Sequence, residues 1–312
     1  SCLSEEYFFT IIINPEPTMI PASANQCSDE LSGLIVGPAA GSVLTTHFEL
    51  QNIIRDPALI AGPINAAIGT TYPANLAGGQ SDFLANDIFT NTSNSPRLVT
   101  YRVAPIANGC KAPAVDIQFT VNPAPAVENN LNRTVCSDDV SGILFATEVS
   151  PLSVAASSYA VQTITISPGL IRTAGNAAFP RVGVTANDIQ FDRFINPTND
   201  TLSVIYGVRA ESGAGCTGPI RNIRLVIEPT IIATPLNSTP LICSNDLTNI
   251  ELQSPTNPSS GNITFNYTAV SSVGNLVTGF VPALNSLPEG YIISDALINN
   301  DNAPQIDTTI II

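Results

Sequence analysis

The sequence predicts an all-β chain, folded as tandem sandwiches strung into an extended rod. Three observations predict it: a cysteine phrase that recurs at domain length, apolar residues that alternate with period two, and no long amphipathic helical pattern. Cys27, Cys136 and Cys243 each open a near-copy of one phrase, CSDELSG, CSDDVSG and CSNDLTN, at spacings of 109 and 107 residues. Cys2, Cys110 and Cys216 recur at spacings of 108 and 106, and each precedes a run ending 13 residues on at Pro15, Pro123 or Pro229. A period this long exceeds the ~20–50 residues of solenoid repeats and matches a single domain. The boundaries that follow are 1–17 for the tail of an upstream repeat, 18–125 and 126–230 for two complete repeats, and 231–312 for a truncated one.

Each repeat opens, after its first cysteine, on a strand marked by Leu34 and Val36, Ile143 and Phe145, or Ile250 and Leu252. Between this strand and the next clear one, Pro57–Asn75 is rich in Ala, Ile and Gly and has room for one short helical turn. A second strand precedes the second cysteine, with Val99, Tyr101 and Val103 in one copy and Val204, Tyr206 and Val208 in the next. Turns at Asn108-Gly109 and Ala214-Gly215 lead into Cys110 and Cys216. The closing strand alternates Phe9, Ile11, Ile13; then Ile117, Phe119, Val121; then Ile223, Leu225, Ile227. Alternation of β-branched and aromatic residues marks a strand with one buried face, and the proline ends it because it has no N–H for a ladder. About seven short strands per hundred residues, punctuated by Gly, Pro and Asn, suggest an immunoglobulin-like sandwich. The linkers Asn14-Pro15-Glu16-Pro17 and Asn122-Pro123-Ala124-Pro125 are short and proline-stiffened, so neighbours are expected in a semi-rigid line.

Composition narrows the classes further. The 312 residues are 44% hydrophobic, enough for real cores, and only 12% charged. A net charge of −14 argues against nucleic acid and anionic membrane surfaces, which call for a basic footprint. No run reaches the ~20 apolar residues of a membrane span. Cysteines at repeated positions, with many Thr, Asn, Ser and Pro, fit an oxidising extracytoplasmic location. Because it opens on the tail of one repeat and closes inside another, the chain reads as a segment of a longer protein.

Six cysteines allow fifteen pairings, and three schemes respect the repeat. Bonds within a repeat give Cys27–Cys110 and Cys136–Cys216, with the partners of Cys2 and Cys243 beyond the segment. This is the leading expectation, since each domain then matures independently. Bonds between successive cysteines give Cys2–Cys27, Cys110–Cys136 and Cys216–Cys243. A third scheme links the first cysteine of one repeat to the second cysteine of the next, as in Cys27–Cys216. Immunoglobulin topology weighs against the first scheme if Cys27 and Cys110 fall at opposite ends of a sandwich.

The phrase CSD-x-x-SG is followed in each repeat by Asn86-Asp87-Ile88, Asn187-Asp188-Ile189 or Ser294-Asp295-Ala296, and in the complete repeats by the tyrosine strand and Gly-Cys. With the Asn-Pro-x-Pro linker, this series resembles the PKD-like and immunoglobulin-like tandem domains of giant Bacteroidota cell-surface adhesins, including the SprB-like gliding-motility adhesins. The resemblance covers essentially the whole chain. It implies type IX secretion, display as a long surface filament, and anchoring at the outer membrane through another region. It also implies, as partners, neighbouring repeats, the secretion and motility machinery, and surface polysaccharide or other cells. The chain departs from true PKD domains in having no WDFGDG, and from antibody domains in having no Trp.

Catalytic chemistry is hard to place. His47 is the only histidine, and its repeat equivalents by spacing are Ala156 and Ile263, so no shared catalytic site and no enzyme is expected. The acidic pairs Asp29 and Glu30, Asp138 and Asp139, and the related Asn245 and Asp246 fit turn capping better than Ca²⁺ coordination, which needs six to eight ligands. No cofactor is expected. Six sequons, at Asn91, Asn132, Asn199, Asn237, Asn262 and Asn266, read as chance in so Asn- and Thr-rich a chain. Asp200-Thr201-Leu202 and Asp307-Thr308-Thr309 resemble the O-glycosylation tripeptide of Bacteroidota. The expected function is the structural stalk of a very long secreted cell-surface adhesin, supporting attachment or gliding motility. The alternatives are repeats that bind glycan, protein or Ca²⁺, and spacers of a secreted hydrolase.

Overall fold

The structure is a computed structural model that describes residues 5–148, 153–176 and 178–304, together with a short strand at Ile310–Ile311. Three hydrophobic cores follow one another along the chain. The first is built from Met19 to Val121, the second from Val127 to Ile227, and the third from Ile250 to Ile293. We refer to the units around them as the first, second and third domains.

In the first domain the strands are β1 (Ser23–Cys27), β2 (His47–Arg55), β3 (Leu59–Ala61), β4 (Thr71–Pro73), β5 (Phe89–Asn91), β6 (Arg97–Ala107), β7 (Cys110–Lys111) and β8 (Val115–Asn122). The main sheet runs β1-β8-β6-β2-β4, with β7 hairpinned onto the end of β6. Val99, Tyr101 and Val103 on β6 and Ile117, Phe119 and Val121 on β8 are fully buried, as their alternation predicts. The facing layer is less regular. It joins the extended chain around Leu34 and Val36 to residues 81–88 through the bridges Leu31–Ile88 and Val36–Ser81, and adds the β3–β5 hairpin. The hairpin into β7 turns at Asn108 and Gly109, both at positive φ (48° and 80°), the geometry that twisted two-residue hairpins favour.

The second domain repeats this plan with β9 (Arg133–Val135), β10 (Ser158–Ile166), β11 (Ile171–Arg172), β12 (Arg181–Val184), β13 (Phe194–Ile195), β14 (Leu202–Glu211) and β15 (Arg221–Ile227). Its sheet order is β12-β10-β14-β15-β9. In both domains the short first strand lies parallel to the closing strand, β1 along β8 and β9 along β15. That pairing carries the first cysteine to the end where the chain leaves the domain. The third domain holds β16 (Leu236–Asn237), β17 (Ile250–Glu251), β18 (Thr264–Ala269), β19 (Val277–Thr278), β20 (Ala283–Pro288), β21 (Ile292–Ile293), β22 (Ile298–Asn299) and β23 (Ile310–Ile311). Its small sheets are β16-β17-β21, β20-β18-β23 and β19-β22. The immunoglobulin-like sandwich class is therefore correct.

Four local expectations change. The opening runs around Leu34 and Val36 and around Ile143 and Phe145 are buried but form no strand, because the facing layer is held there by isolated bridges and side-chain bonds and not by a continuous ladder. The run Phe9, Ile11, Ile13 is exposed, and residues 5–18 contain no strand. A strand needs a ladder partner, and none of the described strands pairs with this run. The stretch 57–75 folds as β3, β4 and turns, and the helical turn is a 3₁₀ turn at Ala77–Gly79. His47 begins β2, exposed. Its neighbour Phe48 pairs with Pro105 as Tyr159 pairs with Ala210, so its true counterpart is Ser158 rather than Ala156.

Candidate functional site: the stapled junction

The repeated cysteine phrase is a turn that sews the two layers of each domain together. Ser28 Oγ accepts the Asn91 N–H at 2.9 Å, Ser137 Oγ that of Asn196 at 2.9 Å, and Ser244 Oγ that of Asn299 at 3.0 Å. The next residues, Asp29, Asp138 and Asn245, sit at φ 67°, 67° and 70°, a region that Asp and Asn tolerate better than other side chains. Their N–H groups donate to the carbonyls of Phe89, Phe194 and Leu297. Ser32, Ser141 and Thr248 then donate their hydroxyls to Leu84, Ile189 and Ile293. The acidic pairs are thus parts of turns: Asp29 accepts from the hydroxyls of Thr90 and Ser28. Among the described residues no three His, Cys, Asp or Glu side chains gather to hold a metal ion.

The same phrase sets the position of the staple. Cys27 ends β1 opposite Asn122, the last residue of β8, and Asn122 Nδ2 donates to Asn25 Oδ1 at 2.6 Å. From Asn122 the chain passes through Pro123 and Pro125, both buried, into the second domain. There the turn after β14 folds back over the linker. Its Cys216 is fully buried and held by Ser212, whose Oγ accepts the Cys216 N–H and whose N–H donates to the Cys216 carbonyl. Gly218 lies so close to the linker that a Cβ there would fall 1.7 Å from the Pro125 carbonyl oxygen. Cys27 and Cys216 are joined by a disulfide with Cα atoms 5.4 Å apart, which closes a sequence separation of 189 residues.

This corrects the leading expectation of bonds within repeats, Cys27–Cys110 and Cys136–Cys216. Cys27 lies beside the Arg97 end of β6, while Cys110 lies beside Ala107 at the other end. Ten residues of strand separate those ends, roughly 30 Å, against the ~7 Å Cα limit of a disulfide. Cys136 and Cys216 are kept apart by β14 in the same way. Cys110, Cys136 and Cys243 are free thiols, Cys110 half-buried and the others exposed. Cys110 Sγ sits 3.8 Å from the Asn14 carbonyl oxygen, in the upstream linker, so the second-cysteine turn lies over the entering chain in both domains. Cys2 lies outside the described residues.

Two further polar constellations went unrecognised in the sequence. Tyr101 donates to Asp87 at 2.7 Å and Tyr206 to Asp192 at 2.9 Å, all four buried. The partner of Asp87 across the repeat is therefore Asp192 and not Asp188, which instead pairs with Arg181 at 2.6 Å. The available signal was the distance to the tyrosine, fourteen residues in both cases. Burial pushes the Asp87 carboxyl up, against the Ala66 N–H and the Tyr101 hydroxyl, which favour the charged form. Asp192 is likewise raised by burial.

The second constellation lies where the second domain meets the third. Glu228, just after β15, accepts from Thr201 Oγ1 at 2.7 Å, from the Ser259 N–H and Oγ, and from Ser260 Oγ. Burial alone would raise its carboxyl, yet these donors outweigh it and hold the group below its ordinary value. Asn257 adds a bridge to Asp200 and a bond to the Asn199 carbonyl. Thr201, in the Asp200-Thr201-Leu202 tripeptide, has its hydroxyl committed to this contact, whereas Asp307-Thr308-Thr309 lies outside the described residues. Asn91, a sequon residue, is also buried and gives its amide hydrogens to the Ser95 and Val121 carbonyls.

No family model matches the chain, and no curated protein matches it in sequence. Among solved structures, the ectodomain of human desmocollin-1 is similar at 11% identity and a TM-score of 0.25 over 93% of this chain, which spans about half of that one, 53%. The chicken CNTN1 FN1–FN3 domains are similar at 7% identity and a TM-score of 0.25, over 90% of both chains. Protocadherin Gamma B2 extracellular cadherin domains 3–6 are similar at 10% identity and a TM-score of 0.27, over 92% of this chain and 69% of that one.

Proposed function

We propose that the chain is a stalk segment: the repeat region of a very long secreted cell-surface adhesin, supporting attachment or gliding motility, with no catalytic role. One observation carries this reading. The disulfide joins two neighbouring domains at their junction, across a sequence separation of 189 residues, and so fixes their relation. A disulfide fits an oxidising, extracellular setting. On this reading the partners are neighbouring repeats, the outer-membrane secretion and motility machinery that anchors the filament, and surface polysaccharide or other cells reached through other parts of the protein. The type IX route and the kinship with SprB-like adhesins belong to the same proposal, supported by the CSD phrase and the Asn-Pro-x-Pro linker.

A glycan array and a calorimetric Ca²⁺ titration on the full 312-residue chain test it. The expected result is no saturable uptake of either probe at micromolar concentration. Saturable micromolar binding of a glycan or of Ca²⁺ would replace the stalk with a binding module.

A further inference from the structure

We infer that the Cys27–Cys216 bond is a load shunt: tension along the chain passes from the first domain to the second through the disulfide and bypasses most of both hydrophobic cores. The inference deepens the stalk reading and rests on it for its biological purpose, though not for its physics. Cys27 is the last residue of β1, nine residues after Thr18, where the chain enters the first domain. Cys216 lies just before β15, the strand by which the chain leaves the second domain. Everything between them, residues 28–215, forms one covalent loop. That loop holds β2 to β8 and β9 to β14 and most of both cores, and leaves Met19 and the β15 residues Ile223, Leu225 and Ile227 in the load path.

Consider a pull applied at residues 17 and 230. With the bond intact, the covalent path runs through residues 17–27, across the disulfide, and through 216–230. Fully stretched, that path is about 90 Å long at ~3.4 Å per residue. Without the bond it runs through all 213 steps and reaches about 720 Å. The difference, roughly 640 Å, is chain that the bond keeps out of the load path. A bond inside one domain would leave the junction extensible. The bond observed here spans the junction and covers both domains at once.

Local packing places the cysteines for this role before the bond forms. Parallel pairing of β1 with β8 brings Cys27 to the exit end of the first domain. Gly218 and the Ser212 bonds seat Cys216 over the linker at the entry end of the second. The two thiols meet where the domains meet. Closing the bond removes two protons and two electrons from the thiols, taken up in vitro by exchange with a disulfide such as oxidised glutathione, which leaves as two reduced thiols.

Single-molecule force extension of the full chain, held at its two ends, is the test. The oxidised chain is expected to show the release of the third domain and of short flanking segments, with no step from residues 28–215. Adding dithiothreitol to the same molecules transfers two electrons and two protons to the bond, and about 640 Å of further extension should appear. Cys27→Ser and Cys216→Ser, each checked for β content by circular dichroism, should show that gain without reductant. Full-length extension of the oxidised chain, its bond verified by non-reducing peptide mapping, would overturn the shunt, and so would a reductant that adds no extension. A ligand found on the glycan array would overturn the stalk and leave these lengths unchanged, so the two failures are distinguishable.

Discussion

Asp87 is a carboxylate enclosed by a core, and its two hydrogen bonds decide what that costs. One oxygen accepts the Ala66 N–H at 2.8 Å and the other the Tyr101 hydroxyl at 2.7 Å, so the charged form is satisfied but poorly solvated. Burial therefore lifts its folded pKa above the unfolded value of ~3.9. The sign of the linkage follows. The folded state holds this proton more tightly, so its contribution is full below the unfolded pKa and is lost as pH rises through the folded one. Asp87→Asn keeps an acceptor for Ala66 and cannot ionise. Urea midpoints measured against pH should show wild type losing stability relative to this variant as pH rises from about 4; parallel curves would refute the assignment. Tyr101→Phe removes the donor and leaves the buried carboxylate half satisfied, a loss of about 1–3 kcal/mol in the same unfolding experiment. Asp192 and Tyr206 form the same pair in the second domain, so an effect of the same sign is expected there, tempered by the nearby charges of Arg181 and Arg172. These pairs explain why the tyrosine recurs in the sequence: it is a core residue with a polar duty, and alternation revealed its burial but not its partner. The aspartate escaped notice because Asn187-Asp188-Ile189 imitates Asn86-Asp87-Ile88 four residues too early. Asp188 takes up Arg181 instead.

At the scale of the element, loops decide how domains meet, and each junction uses different chemistry. The turn that carries Cys216 approaches the Pro125 carbonyl so closely that only glycine fits at 218. Gly218→Ala would have to push the turn off the linker. Its equivalent in the first domain is Ala112, which already carries a methyl group. Gly218→Ala should thus lower the yield of the Cys27–Cys216 peptide in non-reducing mapping, while Ala112→Gly leaves it intact; an unchanged yield from the alanine variant would rule out this packing. The second junction relies on Glu228 and the hydroxyls around it. Its folded pKa is depressed, so the stabilisation it gives is present above the unfolded pKa and is lost as pH falls through the folded one. This is the opposite sign to Asp87. Glu228→Gln retains one acceptor oxygen for several donors and should loosen the contact by about 1–3 kcal/mol. Amide exchange at Ser259 should speed up in the variant at neutral pH and in wild type on acidification, and protection that persists in both would contradict the latch. The strands themselves were legible because a half-buried strand must alternate. The junction loops were not, since a glycine's reason is a carbonyl in another domain and a glutamate's reason is a serine thirty residues on.

At the scale of the whole molecule, the spacing of the cysteines marks a repeat but could not choose their partners. Both the within-repeat and the cross-junction schemes keep the same period. What separates them is the parallel pairing of β1 with β8, which sends the first cysteine to the far end of its own sandwich. Nothing in the local sequence encodes that end, because β1 (Ser23–Cys27) is short, polar and without clear alternation. The consequence for stability is shared between domains. Closing a loop of 189 residues restricts the unfolded ensemble by about 5 kcal/mol in the chain-entropy account, a little above a 100-residue loop. That constraint acts when either enclosed domain unfolds, but it does not reach the third, whose core and Cys243 lie outside the loop. Reduction should accordingly accelerate amide exchange in β2, β6, β10 and β14 by roughly several thousandfold wherever exchange requires global unfolding. Exchange in β18 of the third domain should stay at its oxidised rate. Hydrogen-exchange mass spectrometry on oxidised and reduced chains makes the comparison within one molecule. Acceleration confined to one of the two looped domains would show that the bond stabilises locally. Equal acceleration in all three would mean that reduction disturbs the junction contacts of Glu228 as well, so that stability is transmitted along the chain and is not held within the covalent loop.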